Sequence, residues 1–468
     1  MAKTLRFLMR TRIIRIALPA LLLAALQVGT VAQAPADARV KKETPKLNRA
    51  RGLDILKQVK EVLDFKYYDE AFNGYDLNAK FKAAEERIGT LERNADIYRT
   101  IADFLLGLND SHTIFYPPNL LYRVEYGFSM SVIGDRCFVT DVKQGSDAAV
   151  MGLKAGDQIL EFNGQTPTRN NLWLIHYIIY ALEPQEDIKL KVRDADRKDR
   201  EISFKSKFIS PEERKKERKK RKADEQAKPY TCVAIGSDIT ACKLRTFEVE
   251  RSVIDKMMKE VMPRNKLILD LRGNTGGYVD TEIHLVGWFF DRDVTIGTEK
   301  LRRKTKERIA KGRRNDAYNG DLMVLIDSET GSAAEVFSRV IQIEKRGRVA
   351  GDVSMGGVMT SVRYGIATET RAPSLSGDST PYYLSRLSIS IADFIMSDGN
   401  RLEGRGVMPD VRVTPGQVAI YKRIDPVLSY AAELLGSPIS SEEAGKFYFL
   451  VPKPEEASDK FDDEITGK

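Results

Sequence analysis

Cysteine and histidine are both scarce in this chain of 468 residues, with three of each. No cysteine has a second ligand at the spacing of a metal site, and no phosphate-binding loop or cofactor fingerprint is present. We therefore predict no metal and no cofactor. Cys232 and Cys242 flank a turn at residues 236–238, so a disulfide across a hairpin and two unpaired buried thiols both remain open.

Long apolar runs are missing after the first 36 residues. Those residues hold five lysines and arginines and no acid, so the net charge of +8 falls to +3 (8 − 5) without them. The cationic start leads into the apolar run Ile16–Val28 and then into small residues up to Ala36, the order of a secretory signal peptide. The run is shorter than the roughly 20 residues of a membrane-spanning helix, which favours cleavage over an uncleaved anchor. We predict a signal peptide at residues 1–36, export to the periplasm or the extracellular space, and no later membrane span.

Hydrophobic periodicity divides the rest of the chain. Apolar residues recur at helical spacing up to about Tyr116, and from about Val124 the period becomes two, with short strands and two helices as in a PDZ domain. A run of lysines and arginines follows without interleaved aromatics, so we expect a solvated linker and no nucleic-acid binding. Beyond it, Leu267–Leu271 and Leu322–Asp327 have the pattern of parallel strands buried on both faces.

The predicted fold class is α/β in the wide sense, an α+β multidomain chain whose core has mainly parallel buried strands. Its predicted parts are a helical region at 48–120, a PDZ domain at 124–208, a charged linker at 209–229, an α/β core at 230–436 and a C-terminal tail at 437–468.

Ser332 is the first candidate for chemistry. It follows a buried strand and a turn, and it begins a helix with an apolar inward stripe. A hydroxyl at that position faces free backbone N–H groups and the positive end of the helix dipole, where an oxyanion is stabilised. The alternative is that Ser332 only caps the helix, because serine is among the commonest N-cap residues.

Histidine scarcity narrows the choice of a base for that serine. His176 falls within an apolar helix of the PDZ-like region and His284 within a core helix, which is typical of structural histidines. His112 instead follows a helix in a polar loop beside Asp110 and Ser111, where a general base is displayed.

A glycine-rich segment follows the first buried strand of the core. Gly276 and Gly277 allow the backbone to approach a ligand at the carboxyl edge of the sheet. Either N–H group is a candidate to bind the oxyanion together with that of Ala333. A tight strand-to-helix turn explains the same glycines, and both explanations are compatible.

Five motifs in order resemble the tricorn and C-terminal processing (tail-specific) serine peptidases. They are Leu-Asn-Asp-Ser-His-Thr, a PDZ domain, Leu-Ile-Leu-Asp-Leu-Arg-Gly-Asn-Thr-Gly-Gly, Gly-Ser-Ala-Ala-Glu, and Leu-Glu-Gly-Arg-Gly-Val-Met-Pro-Asp. The resemblance extends over about residues 48–435. It implies a core similar to the ClpP and crotonase folds and a serine endopeptidase acting on protein or peptide substrates.

The resemblance also separates two kinds of catalytic base. Processing peptidases use a lysine after the nucleophile, but the matching position here is Gly357, and no lysine lies between Lys345 and Lys422. Tricorn-like members use a histidine. By that resemblance Ser332 is the nucleophile, His112 takes and returns the proton, and Ser111 and Glu403 hold the imidazole.

The PDZ-like domain implies a peptide groove. Tyr126-Gly127-Phe128-Ser129 resembles the loop whose backbone N–H groups hold a C-terminal carboxylate, beside a strand edge that pairs with the peptide. The domain either recruits substrate or gates the active site. Two alternatives to the histidine-dependent peptidase remain: an inactive PDZ-bearing scaffold or chaperone, and a serine peptidase with a different base.

Overall fold

The computed structural model describes residues 44–118, 123–210, 212–213, 228–367 and 383–450. The predicted signal peptide, most of the charged linker and the last part of the tail lie outside these ranges. Among the described helices, none is long and apolar enough to cross a membrane.

Three helices open the described chain. They are α1 (Pro45–Lys66), α2 (Leu77–Ile88) and α3 (Asn94–Leu106). Thr44 caps α1 by accepting a hydrogen bond from the Leu47 N–H, and Pro45 occupies the first turn, where its missing N–H costs nothing. Their apolar faces form one cluster with Phe115, Leu387 and other residues of a β-sheet described below.

The PDZ-like domain follows. Its elements are β2 (Arg123–Glu125), β3 (Phe128–Ile133), β4 (Arg136–Val142), α4 (Asp147–Val150), β5 (Gln158–Phe162), α5 (Leu172–Tyr177), β6 (Asp187–Arg193), β7 (Asp199–Lys205) and β8 (Lys207–Ile209). Strands β3 to β7 form an antiparallel sheet in sequence order, and β2 pairs with β8 where the chain enters and leaves. Its buried side chains form a separate core from that of the α/β region.

The α/β region contains a six-stranded sheet. Its strands and helices are β9 (Tyr230–Ile235), β10 (Ile239–Leu244), α6 (Arg251–Val261), β11 (Lys266–Asp270), α7 (Val279–Gly287), β14 (Asp321–Ile326), α8 (Ala333–Ile343), β15 (Arg348–Gly351), β18 (Val411–Arg412), α9 (Gln417–Lys422), α10 (Pro426–Leu434) and α11 (Ser441–Gly445). The strand order is β18-β15-β14-β11-β10-β9, and every pair is parallel except β9–β10. Alternate residues face α6–α8 on one side and α10–α11 on the other, which explains the continuous apolar runs.

A second, antiparallel sheet was not predicted. It contains β1 (Ile114–Tyr116), β12 (Val294–Leu301), β13 (Thr305–Ala310), β16 (Met359–Ala367) and β17 (Tyr383–Met396), and β17 is its central strand. The expectation of mainly parallel strands therefore describes only the six-stranded sheet. Pairing of β1 with β17 joins segments more than 250 residues apart, and no local turn signal marks such a pair.

Two further features complete the core. Cys232 and Cys242 lie directly opposite each other on β9 and β10 and form a disulfide, which settles the alternative left open by the sequence. The predicted tail is partly folded: residues 437–450 include α11, and Ala444 and Phe449 are buried against the six-stranded sheet. The apolar side chains of this segment explain why it packs there. The segment is too short to show a helical period, so its fold could not be predicted from the sequence.

Candidate active site

Ser332 lies at the carboxyl end of β14, in the turn that leads into α8. Its φ of 50° and ψ of −121° lie in a region that side chains with a Cβ rarely adopt. Backbone hydrogen bonds hold this conformation, from the Gly331 N–H to the Asn274 carbonyl (2.9 Å) and from the Ser332 N–H to the Gly357 carbonyl (3.1 Å). A strained residue at a strand-to-helix turn is a common way to display a nucleophile.

Glu335 anchors the segments around Ser332. Its side chain is fully buried, and Oε2 accepts from the N–H groups of Ser332 (2.9 Å) and Gly357 (3.0 Å). Oε1 accepts from the Gly356 N–H (2.7 Å) and the Ser354 hydroxyl (2.6 Å). Burial raises the pKa of Glu335 to about 7, although these four donors oppose the rise. One carboxylate thus joins the start of α8 to the loop before β16.

His112, Ser111 and Glu403 form a hydrogen-bonded chain. Nδ1 of His112 lies 2.6 Å from Oγ of Ser111, and that hydroxyl donates to Oε2 of Glu403 (2.9 Å). Glu403 also accepts from the Ser111 N–H (2.9 Å) and the Val358 N–H (2.7 Å). Asp110 fixes the loop by accepting from the N–H groups of His112 (2.9 Å) and Thr113 (2.6 Å). The structure therefore brings together three residues that the sequence proposed for one task.

Gly357 lies between the hydrogen-bonded chain Glu403–Ser111–His112 and the turn that carries Ser332. A Cβ placed on it would lie 3.4 Å from Ser111 Oγ, 3.7 Å from His112 Cε1 and 3.6 Å from Met355 Sδ. The Gly357 carbonyl accepts from the Ser332 N–H, so the imidazole and the serine border the same residue. The imidazole thus occupies the space into which a side chain at position 357 would extend.

The three predicted oxyanion donors differ in their hydrogen bonds. A Cβ on Gly276 would lie 2.6 Å from the Ser332 Cβ and 3.0 Å from the Ala333 nitrogen, so only glycine permits this approach. The Gly276 N–H, however, donates to Oδ1 of Asn274 (2.9 Å). Within the described ranges, the N–H groups of Gly277 and Ala333 have no acceptor. These two are the groups left to bind an oxyanion.

Comparison with known proteins agrees with this architecture. The sequence profile of peptidase family S41 matches residues 238–413, and that of the PDZ domain matches residues 125–205. The segment that the S41 profile matches contains Ser332, Glu335, Gly357 and Glu403, whereas His112 precedes the PDZ domain.

This chain is similar to two proteins that share one name. It is 25% identical over 295 residues to a "Probable CtpA-like serine protease" of Staphylococcus aureus (strain COL), covering 62% of this chain and 52% of the relative. It is also 25% identical over 169 residues to the protein of that name in Staphylococcus haemolyticus (strain JCSC1435), covering 36% and 30% of the two chains. The chain thus spans about half the length of the first of these relatives. The structure of mature CPAF complexed with lactacystin has the same fold, with a TM-score of 0.60 at 13% identity over 87% of this chain and 100% of that one.

The other two histidines have different surroundings. His284 lies in α7, where Nε2 contacts Asp255 (2.8 Å) and Arg313 (3.0 Å). His176 lies in α5 against the ring of Tyr180, and burial lowers its pKa to about 4. Both arrangements are those of structural histidines, in line with the sequence interpretation.

The predicted peptide loop of the PDZ domain lies at the start of β3, an edge strand of its sheet. Tyr126 and Phe128 are buried, and the Tyr126 hydroxyl donates to the Ile179 carbonyl (2.7 Å). These two side chains therefore stabilise the domain itself. Gly127 is buried as well, and its carbonyl accepts from the Lys143 N–H (2.9 Å), so a role of Gly127 and Ser129 in peptide binding stays a prediction.

Two residues near the site escaped the sequence analysis. Glu335 stands three residues after Ser332, and this Ser-x-x-Glu spacing is the capping-box signature that would have indicated it. Arg363 acts on His112 by its charge, as described below, and no local pattern marks it because it comes from a distant strand.

Proposed function

We propose that this protein is an exported serine endopeptidase in which Ser332 is the nucleophile and His112 the general base. The observation that carries the proposal is the hydrogen-bonded chain Glu403–Ser111–His112, which ends beside Gly357, the residue that holds the Ser332 backbone. Ser332 itself has the strained conformation of a displayed nucleophile.

The proton positions follow from the hydrogen bonds. The single hydroxyl proton of Ser111 points to the Glu403 carboxylate, so Oγ accepts a hydrogen bond from the Nδ1–H group of His112. Nε2 of the neutral imidazole then carries the lone pair that a base needs. Burial lowers the pKa of His112, with Arg363 lowering it and Asp110 raising it, so the ring is unprotonated at neutral pH.

Hydrolysis would proceed in two halves. Ser332 Oγ attacks the peptide carbonyl while Nε2 of His112 takes its proton, and the N–H groups of Gly277 and Ala333 stabilise the oxyanion. The intermediate collapses, the C–N bond breaks, and His112 gives the proton to the leaving amine. Water then attacks the acyl-enzyme with His112 again as base, which releases the acid and restores the Ser332 hydroxyl.

Substrates are proposed to be unfolded or tail-presented protein chains. The position of β3 at the edge of its sheet supports this proposal, because an extended peptide can pair with an edge strand. The N-terminal charge pattern supports export. No step of this chemistry needs a metal or an organic cofactor.

A fluorophosphonate probe tests the proposal most directly. The probe should label the wild-type protein at Ser332, whereas Ser332→Ala should be unlabelled and His112→Ala should react on the order of 10³-fold more slowly. His284→Gln is the matched control, since that histidine lies in α7 with Asp255, and it should be labelled as the wild type is. A well-folded wild type without labelling would instead favour an inactive scaffold. Equal labelling of His112→Ala would indicate a different base.

Peptide release gives the second measurement. Mass spectrometry of a denatured protein mixture should find new termini with the wild type and none with Ser332→Ala. The residues that flank these termini report the cleavage preference.

A further inference from the structure

Arg363 and Arg386 lie together on one face of the antiparallel sheet. Arg386 of β17 pairs with Gly365 of β16, and Arg363 pairs with Ser388, so the two arginines are diagonal neighbours on adjacent strands. Gly365, which lies opposite Arg386, has no side chain. The opposite face carries Leu387 and packs against the helical layer.

The two guanidinium groups have no carboxylate partner among the described residues. No described aspartate or glutamate forms an ion pair with either one, and the nearest aromatic contact is Tyr116, whose ring centre is 5.9 Å from the Arg386 guanidinium. Burial and the charge of Arg363 both lower the pKa of Arg386, while Tyr116 raises it. Two uncompensated cations side by side repel each other, so an anion between them would be bound favourably.

The two arginines lie beyond His112 when the sheet is followed away from Gly357. Strand β1 pairs Ile114 with Ser388, which pairs with Arg363, so β1 and β16 run in the same direction. Ile114 and Arg363 therefore lie at the same level of the sheet. His112 comes two residues before that level on the β1 side, and Gly357 comes six residues before it on the β16 side. Arg363 is also close enough for its charge to lower the pKa of His112.

We propose that Arg363 and Arg386 form a subsite for a carboxylate of the substrate on the leaving-group side of the scissile bond. The inference rests on the proposed function, because the histidine of such an enzyme returns its proton to the leaving amine and therefore faces that side. Guanidinium pairs suit carboxylates, which they bind through two parallel hydrogen bonds. The carboxylate comes either from an aspartate or glutamate side chain or from the chain's own C-terminus.

Cleavage rates of matched peptides, one charged and one neutral in each pair, distinguish these two sources of the carboxylate. One pair has glutamate or glutamine at successive positions after the scissile bond, and the other ends in a free acid or an amide. We expect the charged member of at least one pair to be cleaved with a kcat/KM about 10-fold higher, since a hydrogen bond between charged groups contributes more than one such factor. A preference in the first pair assigns the subsite to a side chain, and one in the second assigns it to the C-terminus.

Variants then locate the subsite. Arg363→Gln and Arg386→Gln should each lower the charged-to-neutral ratio toward 1, whereas Arg303→Gln, an 85% exposed arginine in the β12–β13 turn of the same sheet, should keep it. Arg363→Gln should also move the acid limb of the kcat/KM profile to higher pH, because removing the cation raises the pKa of His112. A structural defect alone would not shift that limb.

Two results would overturn the inference: equal cleavage of both members in both pairs, or a preference that survives Arg363→Gln/Arg386→Gln. Probe labelling of Ser332 in the same preparations separates this failure from failure of the proposed function. If the wild type is not labelled, the peptidase proposal is refuted, and calorimetric binding of the same peptides to Ser332→Ala judges the carboxylate subsite. Equal affinity for acid and amide there would refute the subsite as well.

Discussion

Gly357 offers a test of which group acts as the base. Its backbone lies outside the left-handed region, and a Cβ there would meet its neighbours at 3.4–3.7 Å, an ordinary contact distance. Gly357→Ala should therefore fold and keep most of its activity. A lysine adds four more heavy atoms, and these extend into the space of the His112 ring.

We expect Gly357→Lys to displace the imidazole and remove general-base catalysis. The loss should be on the order of 10²–10⁴-fold in kcat/KM, or about 3–5.5 kcal/mol of transition-state stabilisation. The pH profile should change shape as well. The wild type should reach its plateau above the lowered pKa of His112, whereas a lysine base is largely protonated until the pH nears about 10.4 and its activity should keep rising.

The assay is hydrolysis of one fluorogenic peptide between pH 5 and pH 10, with circular dichroism as the control for folding. His112→Ala/Gly357→Lys should exceed His112→Ala at high pH, because the amine then has the space that the ring has left. A folded Gly357→Lys protein with the wild-type rate and profile would refute the assignment of His112 as the base.

Three other perturbations give separate tests. Ser111→Ala should lower kcat on the order of 10³-fold with little change in KM, because it removes the hydroxyl that links Nδ1 of His112 to Glu403; an unchanged kcat would argue against this hydrogen-bonded chain. Burial raises the pKa of Glu335 from 4.5 to about 7, so its contribution to stability is complete below pH 4.5 and is lost as the pH rises through 7. Denaturant titrations at pH 5 and pH 8 should thus show wild type losing up to about 3 kcal/mol relative to Glu335→Gln, and a constant difference would contradict this. Reduction, or the Cys232→Ala/Cys242→Ala variant, should lower the unfolding free energy by about 3 kcal/mol, as expected for closing a loop of about 10 residues; an unchanged melting curve in reductant would count against the bond.

Local patterns predicted much of the architecture. The apolar runs around Leu267 and Leu322 are indeed strands buried on both faces, and Ser332 does begin an amphipathic helix. These features depend on residues close in sequence, where periodicity and turn chemistry determine the structure. The roles of Ser332, His112 and Glu403 in catalysis stay predictions that the probe experiment tests.

Contacts between distant parts of the chain could not be predicted, because no local sequence pattern reports them. The second sheet forms because β17 pairs with β1 and β12, which come from distant parts of the chain. Likewise, four donors surround Glu335 only after β16 and its preceding loop have packed against α8. A sequence pattern shows that Glu335 follows Ser332 by three residues, but not that it is buried.

The hydrogen bond between Ser111 and Glu403 joins residues that are 292 positions apart, so it forms only after most of the chain has been made. A polypeptide that emerges from a secretion channel as an unfolded thread would hold its base and its supporting acid far apart until nearly the whole chain has arrived. If the chain is exported as proposed, self-digestion during passage would thereby be avoided. The late contact between Ser111 and Glu403 would then set the time at which the proposed peptidase becomes active.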